Sequence, residues 1–241
     1  ILIYLHYFYE LATSCFALDQ PLRDKYMIRL DVFSDPICPW CYIGKTLLDR
    51  ALEKHPSHPF VIEYHPFQLN PAMPKDGAER SAYLTAKFGG QTQFFETYGR
   101  IAQSAKAAGI DINFDIMTRV PNTLDAHRMI HWAGLEGKQA AMVAAQFRAY
   151  FREGRDLGDV QILADLAAQV GMNRAVAERL LTTDSDLDDL ASRDKDAREK
   201  GVSAVPTYLI DKQYVLSGAQ QPDLWAQVIS EITVELASKA G

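Results

Sequence analysis

Ile28, Leu30 and Val32 alternate with Arg29, Asp31 and Phe33, the two-residue period of a strand. Ser34-Asp35-Pro36 ends that run. Ile43, Leu47, Leu48, Ala51 and Leu52 then recur at helical spacing as far as His55-Pro56. Phe60 to Tyr64 is rich in β-favouring side chains, so residues 28–64 predict strand, helix, strand, a βαβ unit. From Pro71 to about Lys200 the pattern predicts helices over 78–88, 91–108, 123–135, 138–152, 159–170 and 173–182, and no strand of any length. Residues 184–200 carry four early aspartates and then mixed charges, which predicts a solvated helix with acid at its start. Thr207–Ile210 and Tyr214–Leu216, joined by Asp211-Lys212-Gln213, predict a hairpin. A last helix should bury Leu224, Trp225, Val228, Ile229 and Ile232.

The predicted class is therefore α/β: a small sheet formed from residues 27–70 and 196–241, interrupted by a helical block over 71–195. Residues 1–26 fall outside this scheme. They are apolar and aromatic but broken by His6 and Glu10, and their first basic side chain is Arg23. Our expectation is an extension outside the fold of a cytoplasmic protein. The rival is a degenerate export signal, which would make the protein periplasmic. No other segment resembles a membrane span.

The 241 residues are 48% hydrophobic and 23% charged, ordinary globular usage that excludes a wholly disordered chain. The net charge of −6 argues against nucleic acid as the main partner, because phosphate binding draws on a basic face. Three cysteines are too few for a disulfide scaffold.

Two of the three form Cys38-Pro39-Trp40-Cys41, directly after a strand and opening a helix. A zinc half-site would need a second ligand pair, and none follows at finger spacing. His127 and His131 are four apart on a predicted helix, but Arg128 stands where a zinc protease needs glutamate. We expect both histidines to be ordinary helix residues, and no metal. A redox reading fits the context better. A cysteine at a helix start meets free N–H groups and the positive end of the helix dipole, which favour the thiolate, the nucleophile of disulfide exchange. Cys41, one turn on, lies within reach of a mixed disulfide on Cys38. Cys38 is expected to be open to substrate and Cys41 more buried. Cys15 lies outside the recognisable fold and is expected to be dispensable. Downstream, Gly201-Val202-Ser203-Ala204-Val205-Pro206 leads straight into the strand at Thr207, and a cis Val205–Pro206 bond is expected there.

Four segments in this order resemble the DsbA family of thioredoxin-like proteins, in particular its FrnE-like branch. They are Phe33-Ser34-Asp35-Pro36-Ile37-Cys38-Pro39-Trp40-Cys41-Tyr42-Ile43-Gly44, Pro66-Phe67-Gln68-Leu69-Asn70-Pro71, Ala126-His127-Arg128 and Gly201–Thr207. The resemblance covers about 27–238. It implies a thioredoxin-like fold with a large all-helical insertion, and thiol–disulfide exchange as oxidase, reductase or isomerase. Carried over, Cys38 attacks and Cys41 resolves. Pro39, Trp40, Val205 and Pro206 face the substrate, with the Val205 main chain pairing with an extended peptide. The partners implied are protein or peptide thiols and disulfides, with no bound cofactor but room for glutathione as a co-substrate.

Two departures matter. DsbA has histidine where Trp40 stands, and tryptophan cannot be a charged partner for a thiolate. The carboxylate frequent six residues before the first cysteine is also missing, because Val32 is there. Asp31 and Asp35 flank that position, but strand alternation aims them elsewhere. Related isomerases of 2-hydroxychromene-2-carboxylate and kappa-class glutathione transferases usually show serine in place of the first cysteine. They tend to have Asp-Arg where this chain has Ala219-Gln220 after Gly218. A glutathione-dependent isomerase or transferase is the first rival function. A non-catalytic peptide-binding holdase is the second.

Overall fold

The computed structural model describes residues 27–88 and 91–240. The expectations for residues 1–26, Cys15 among them, lie outside the described residues. The elements in chain order are β1 (Ile28–Ser34), α1 (Pro39–Lys54), β2 (Phe60–Pro66), β3 (Ala78–Glu79), α2 (Arg80–Phe88), α3 (Gln91–Ala107), β4 (Arg119–Val120), α4 (Leu124–Leu135), α5 (Gln139–Glu153), α6 (Val160–Gln169), α7 (Arg174–Leu181), α8 (Leu187–Glu199), β5 (Thr207–Ile210), β6 (Tyr214–Ser217) and α9 (Pro222–Ala240). The helices match the apolar periodicity to within a residue or two at most ends. The exception to the expected strandless block is the two-residue pair β3–β4, in which Ala78 faces Val120.

The main sheet has the order β2-β1-β5-β6. β1 is central, parallel to β2 and antiparallel to β5, with Phe33 opposite Thr207. This register matters most for the site. The last residues of β1 and the first of β5 lie side by side, so the segments that follow and precede them emerge at one end of the sheet. Leu30, Val32, Tyr208 and Ile210 are buried in one continuous core that runs on through Met129, Phe147 and Leu163 of the helical block. Tyr208 meets the Trp225 ring of α9 edge-on at 4.8 Å. Asp31, Phe33 and Leu209 line the other face, below Arg193 and Ala197 of α8.

α8 is more than the solvated helix that its charges predict. Asp188 and Asp189 do sit in its first turn, but Leu190, Asp194 and Ala197 are buried. The Asp194 carboxylate accepts the Gln68 N–H at 2.7 Å, and Arg198 donates to both Asp194 and the Gln68 carbonyl. A charged stretch can thus carry a buried face where its ions are paired with main chain. No helix among the described residues is long and apolar enough to cross a membrane.

Candidate functional site

Cys38 is the N-cap of α1, with extended backbone (φ −86°, ψ 116°), and Pro39 takes the first helical position. Proline suits that position because its fixed φ is helical and its missing N–H would be unpaired anyway. The Cys38 carbonyl accepts the N–H groups of Cys41 and Tyr42 at 3.1 and 3.2 Å, closing the first turn. Both cysteines are free thiols in this structure.

The Val205–Pro206 bond is cis. Across 167 positions of sequence, the Cys38 thiol donates to the Val205 carbonyl at 3.6 Å. The loop is held from behind by Gly218 N–H on the Pro206 carbonyl at 2.7 Å and by the Thr207 hydroxyl on Ala204 at 2.7 Å. The structure thus brings Cys38, Cys41, Val205 and Pro206 together. Trp40, 36% exposed, stands at the rim with the half-buried Pro39.

Accessibility departs from expectation. Cys38 is only 3% exposed, hardly more than Cys41 at 2%. The reason is tertiary. Helix position alone would leave an N-cap side chain in solvent, but the loop before β5 packs over it, with Val205 itself buried. Burial is the largest influence on the Cys41 thiol and pushes its pKa well up. The adjacent Cys38 sulfur acts in the same direction, while the Ser34 hydroxyl and the Asp35 N–H pull the other way.

Asp35 also departs from expectation, and it is the residue that sequence reasoning missed. Its side chain is fully buried beside the cysteine turn. Its carboxylate accepts the Ile37 N–H at 3.2 Å and the Leu69 N–H at 2.6 Å, and its carbonyl accepts the Cys38 N–H at 2.9 Å. β1 ends at Ser34, so alternation no longer governs residue 35. The available signal was the Asp-Pro step itself, which marks a turn whose side chain can bond its own main chain. Asp31 does point elsewhere, to the α8 face.

On that face Asp31, Glu63 and His65 bring ligand-type atoms within 4.8 Å of one another. Arg29 pairs with Asp31 and, at 3.1 Å, with Glu63, while Arg193 approaches Glu63 at 3.8 Å. His65 lies 2.6 Å from Asp31. The two guanidinium groups already supply the positive charge that a metal ion would, so the cluster reads as an ion-pair network. It borders a cavity of about 620 Å³ that reaches Ser203, Ala204 and Thr207 but is not lined by either cysteine. His127 is buried on α4 and its Nε2 has no hydrogen-bond partner among the described residues, while His131 contacts Arg193 at 3.3 Å.

A family model described as a DSBA-like thioredoxin domain matches residues 29–230. The uncharacterized protein YwbO of Bacillus subtilis is 29% identical over 205 residues, covering 85% of this chain and 96% of that protein. The crystal structure of the probable DsbA oxidoreductase SCO1869 from Streptomyces coelicolor superposes with a TM-score of 0.76 at 27% identity, covering 86% of this chain and 91% of that one. The cytosolic disulfide reductase DsbM from Pseudomonas aeruginosa, solved with glutathione, shares the fold with a TM-score of 0.63 at 22% identity, covering 84% and 98%. The match over 29–230, together with a four-stranded sheet interrupted by helices, means that this chain belongs to the DsbA-like thioredoxin domain family.

Proposed function

We propose that the protein is a thiol–disulfide oxidoreductase acting through Cys38 and Cys41, on protein or peptide substrates and with glutathione as a co-substrate. The observation that carries this reading is the Cys38 sulfur at the start of α1, within hydrogen-bond reach of the Val205 carbonyl and one turn from a second free thiol. The similarity to a probable DsbA oxidoreductase at 27% identity supports it.

In the reducing direction the Cys38 thiolate attacks one sulfur of a substrate disulfide. An enzyme–substrate S–S bond forms, the substrate S–S bond breaks, and one substrate thiolate leaves. Cys41 then loses its proton and attacks the Cys38 sulfur, forming the Cys38–Cys41 disulfide and releasing the second substrate thiolate. Two electrons pass from the enzyme dithiol to the substrate, and the released thiolates take up the two protons. Oxidation of a substrate dithiol is the same sequence reversed. Burial pushes the Cys41 pKa up and keeps that thiol protonated until the mixed disulfide forms. Val205 offers main chain to an extended substrate, with Pro206, Pro39 and Trp40 shaping the rim. In this reading residues 27–70 and 196–241 form the redox domain and 71–195 a helical cover.

Mass spectrometry of single variants exposed to a disulfide-bonded peptide tests the reading. Cys38→Ser should form no adduct. Cys41→Ser should accumulate a peptide adduct that reductant removes. Adducts on Cys38→Ser alone would reverse the roles. Adducts on neither would sink the redox function and favour the glutathione-isomerase rival, which needs no lasting adduct.

A further inference from the structure

Asp35 is a fully buried carboxyl group with no lysine or arginine ion pair among the described residues. Its main chain holds the start of the cysteine turn: the carbonyl accepts the Cys38 N–H at 2.9 Å, and the Cys38 carbonyl in turn accepts the Cys41 N–H at 3.1 Å. Its side chain ties two segments together, accepting from Ile37 within the turn and from Leu69 after β2. The Leu69 segment is itself fixed. Gln68 donates its N–H to Asp194 at 2.7 Å and its side-chain amide to Asn122 at 3.1 Å, and Arg198 holds its carbonyl. The Thr123 hydroxyl, which Gln68 also approaches at 3.5 Å, favours the charged form of the Asp35 carboxyl.

We propose that Asp35 is a positioning residue for disulfide exchange. Its carboxylate locks the turn 35–38 to residues 68–69, and its own main chain thereby sets the placement of both cysteines. The proposal rests on the redox reading and adds to it a residue that never touches substrate. An ionised carboxylate offers acceptors to both N–H groups, whereas a protonated one presents an O–H where an N–H already points. Burial raises the Asp35 pKa to about 7, so the lock should weaken just below neutrality. The charged or titratable groups that act on it are Asp194, paired with Arg198 on α8, and Tyr150 on α5, with the Cys38 thiol three residues on. Asp194 raises the Asp35 pKa further, while the Thr123 hydroxyl lowers it.

The test is the rate of peptide-disulfide reduction by the reduced protein between about pH 5.5 and 9, with the Cys38/Cys41 potential measured against glutathione in parallel. Wild type should show an inflection near pH 7. Asp35→Asn keeps the shape but turns an amide donor toward one of the two N–H groups. Its rate at pH 8 should fall about tenfold, the scale of one charge-assisted hydrogen bond, and the inflection should vanish. Thr123→Val removes only the hydroxyl and should move the inflection to higher pH. It decides the matter alone if Asp35→Asn does not fold. An inflection unmoved in every folded variant overturns the role of Asp35 while leaving the redox reading intact. A wild type that exchanges no disulfide at all sinks the redox reading instead.

Discussion

A Cβ atom added to Gly44 would lie 2.5 Å from the Tyr208 hydroxyl and 3.0 Å from Cγ of Pro206. Gly44 sits inside α1, where alanine would ordinarily stabilise a helix by about 1 kcal/mol. Here it is the gap through which β5 and the loop carrying Pro206 approach the cysteine helix. Gly44→Ala is therefore expected to destabilise the protein by about 1–3 kcal/mol, as overpacking does, and to slow disulfide exchange by displacing the Val205–Pro206 loop. Urea denaturation gives the first quantity and peptide-disulfide kinetics the second. A stabilised variant would contradict the contact.

The 3% exposure of Cys38 has a kinetic consequence. A sulfur covered by a loop admits a small reagent more readily than a bulky one, whatever its thiolate fraction. We expect the ratio of aromatic-disulfide reactivity to iodoacetamide reactivity at Cys38 to be about tenfold lower in the native protein than in the denatured chain. Equal ratios would mean that the Val205 loop does not shield the sulfur.

His127 should make the protein acid-sensitive. Burial lowers its pKa from 6.5 to about 4, so the folded state holds the ring neutral while the unfolded chain takes up a proton. The stability this contributes is complete above about pH 6.5 and is lost as pH falls toward 4, by about 3 kcal/mol over that window. His127→Gln removes the titration. Relative to wild type it should therefore gain about that much between pH 7 and pH 4 in urea denaturation. Parallel pH dependences would rule out a buried neutral histidine.

Arg128 is buried and serves three carbonyls at once. Its Nε donates to Ser185, and its Nη2 donates to Leu180 and Thr183, at 2.8–2.9 Å, while Nη1 pairs with Asp125 at 2.7 Å. It thereby closes the connection between α7 and α8. Arg128→Met would leave those carbonyls and Asp125 without their donor and should cost about 3–5 kcal/mol. Arg128→Lys should recover only part of this, because one ammonium cannot reproduce the planar fork. Chemical denaturation of both variants checks the order.

The sequence by itself determined most of the elements and singled out the cysteine pair, because those rest on local physics. Alternation in Ile28–Val32, helical spacing from Ile43 to Leu52 and a proline after Cys38 are satisfied by neighbours a few residues away. The four ordered segments were enough to indicate the family. Burial at the site was decided only by the tertiary structure. Strand alternation says nothing about Asp35 once β1 stops at Ser34, and the bonds to its buried carboxylate come from Ile37 and Leu69. Nor does the helix start reveal that Cys38 is covered, since the covering carbonyl belongs to Val205, 167 residues away. The antiparallel register of β1 with β5, Phe33 against Thr207, brings them together. A pattern of side-chain types along a chain specifies which face an element buries, whereas the partner that covers a given atom depends on how distant strands pair.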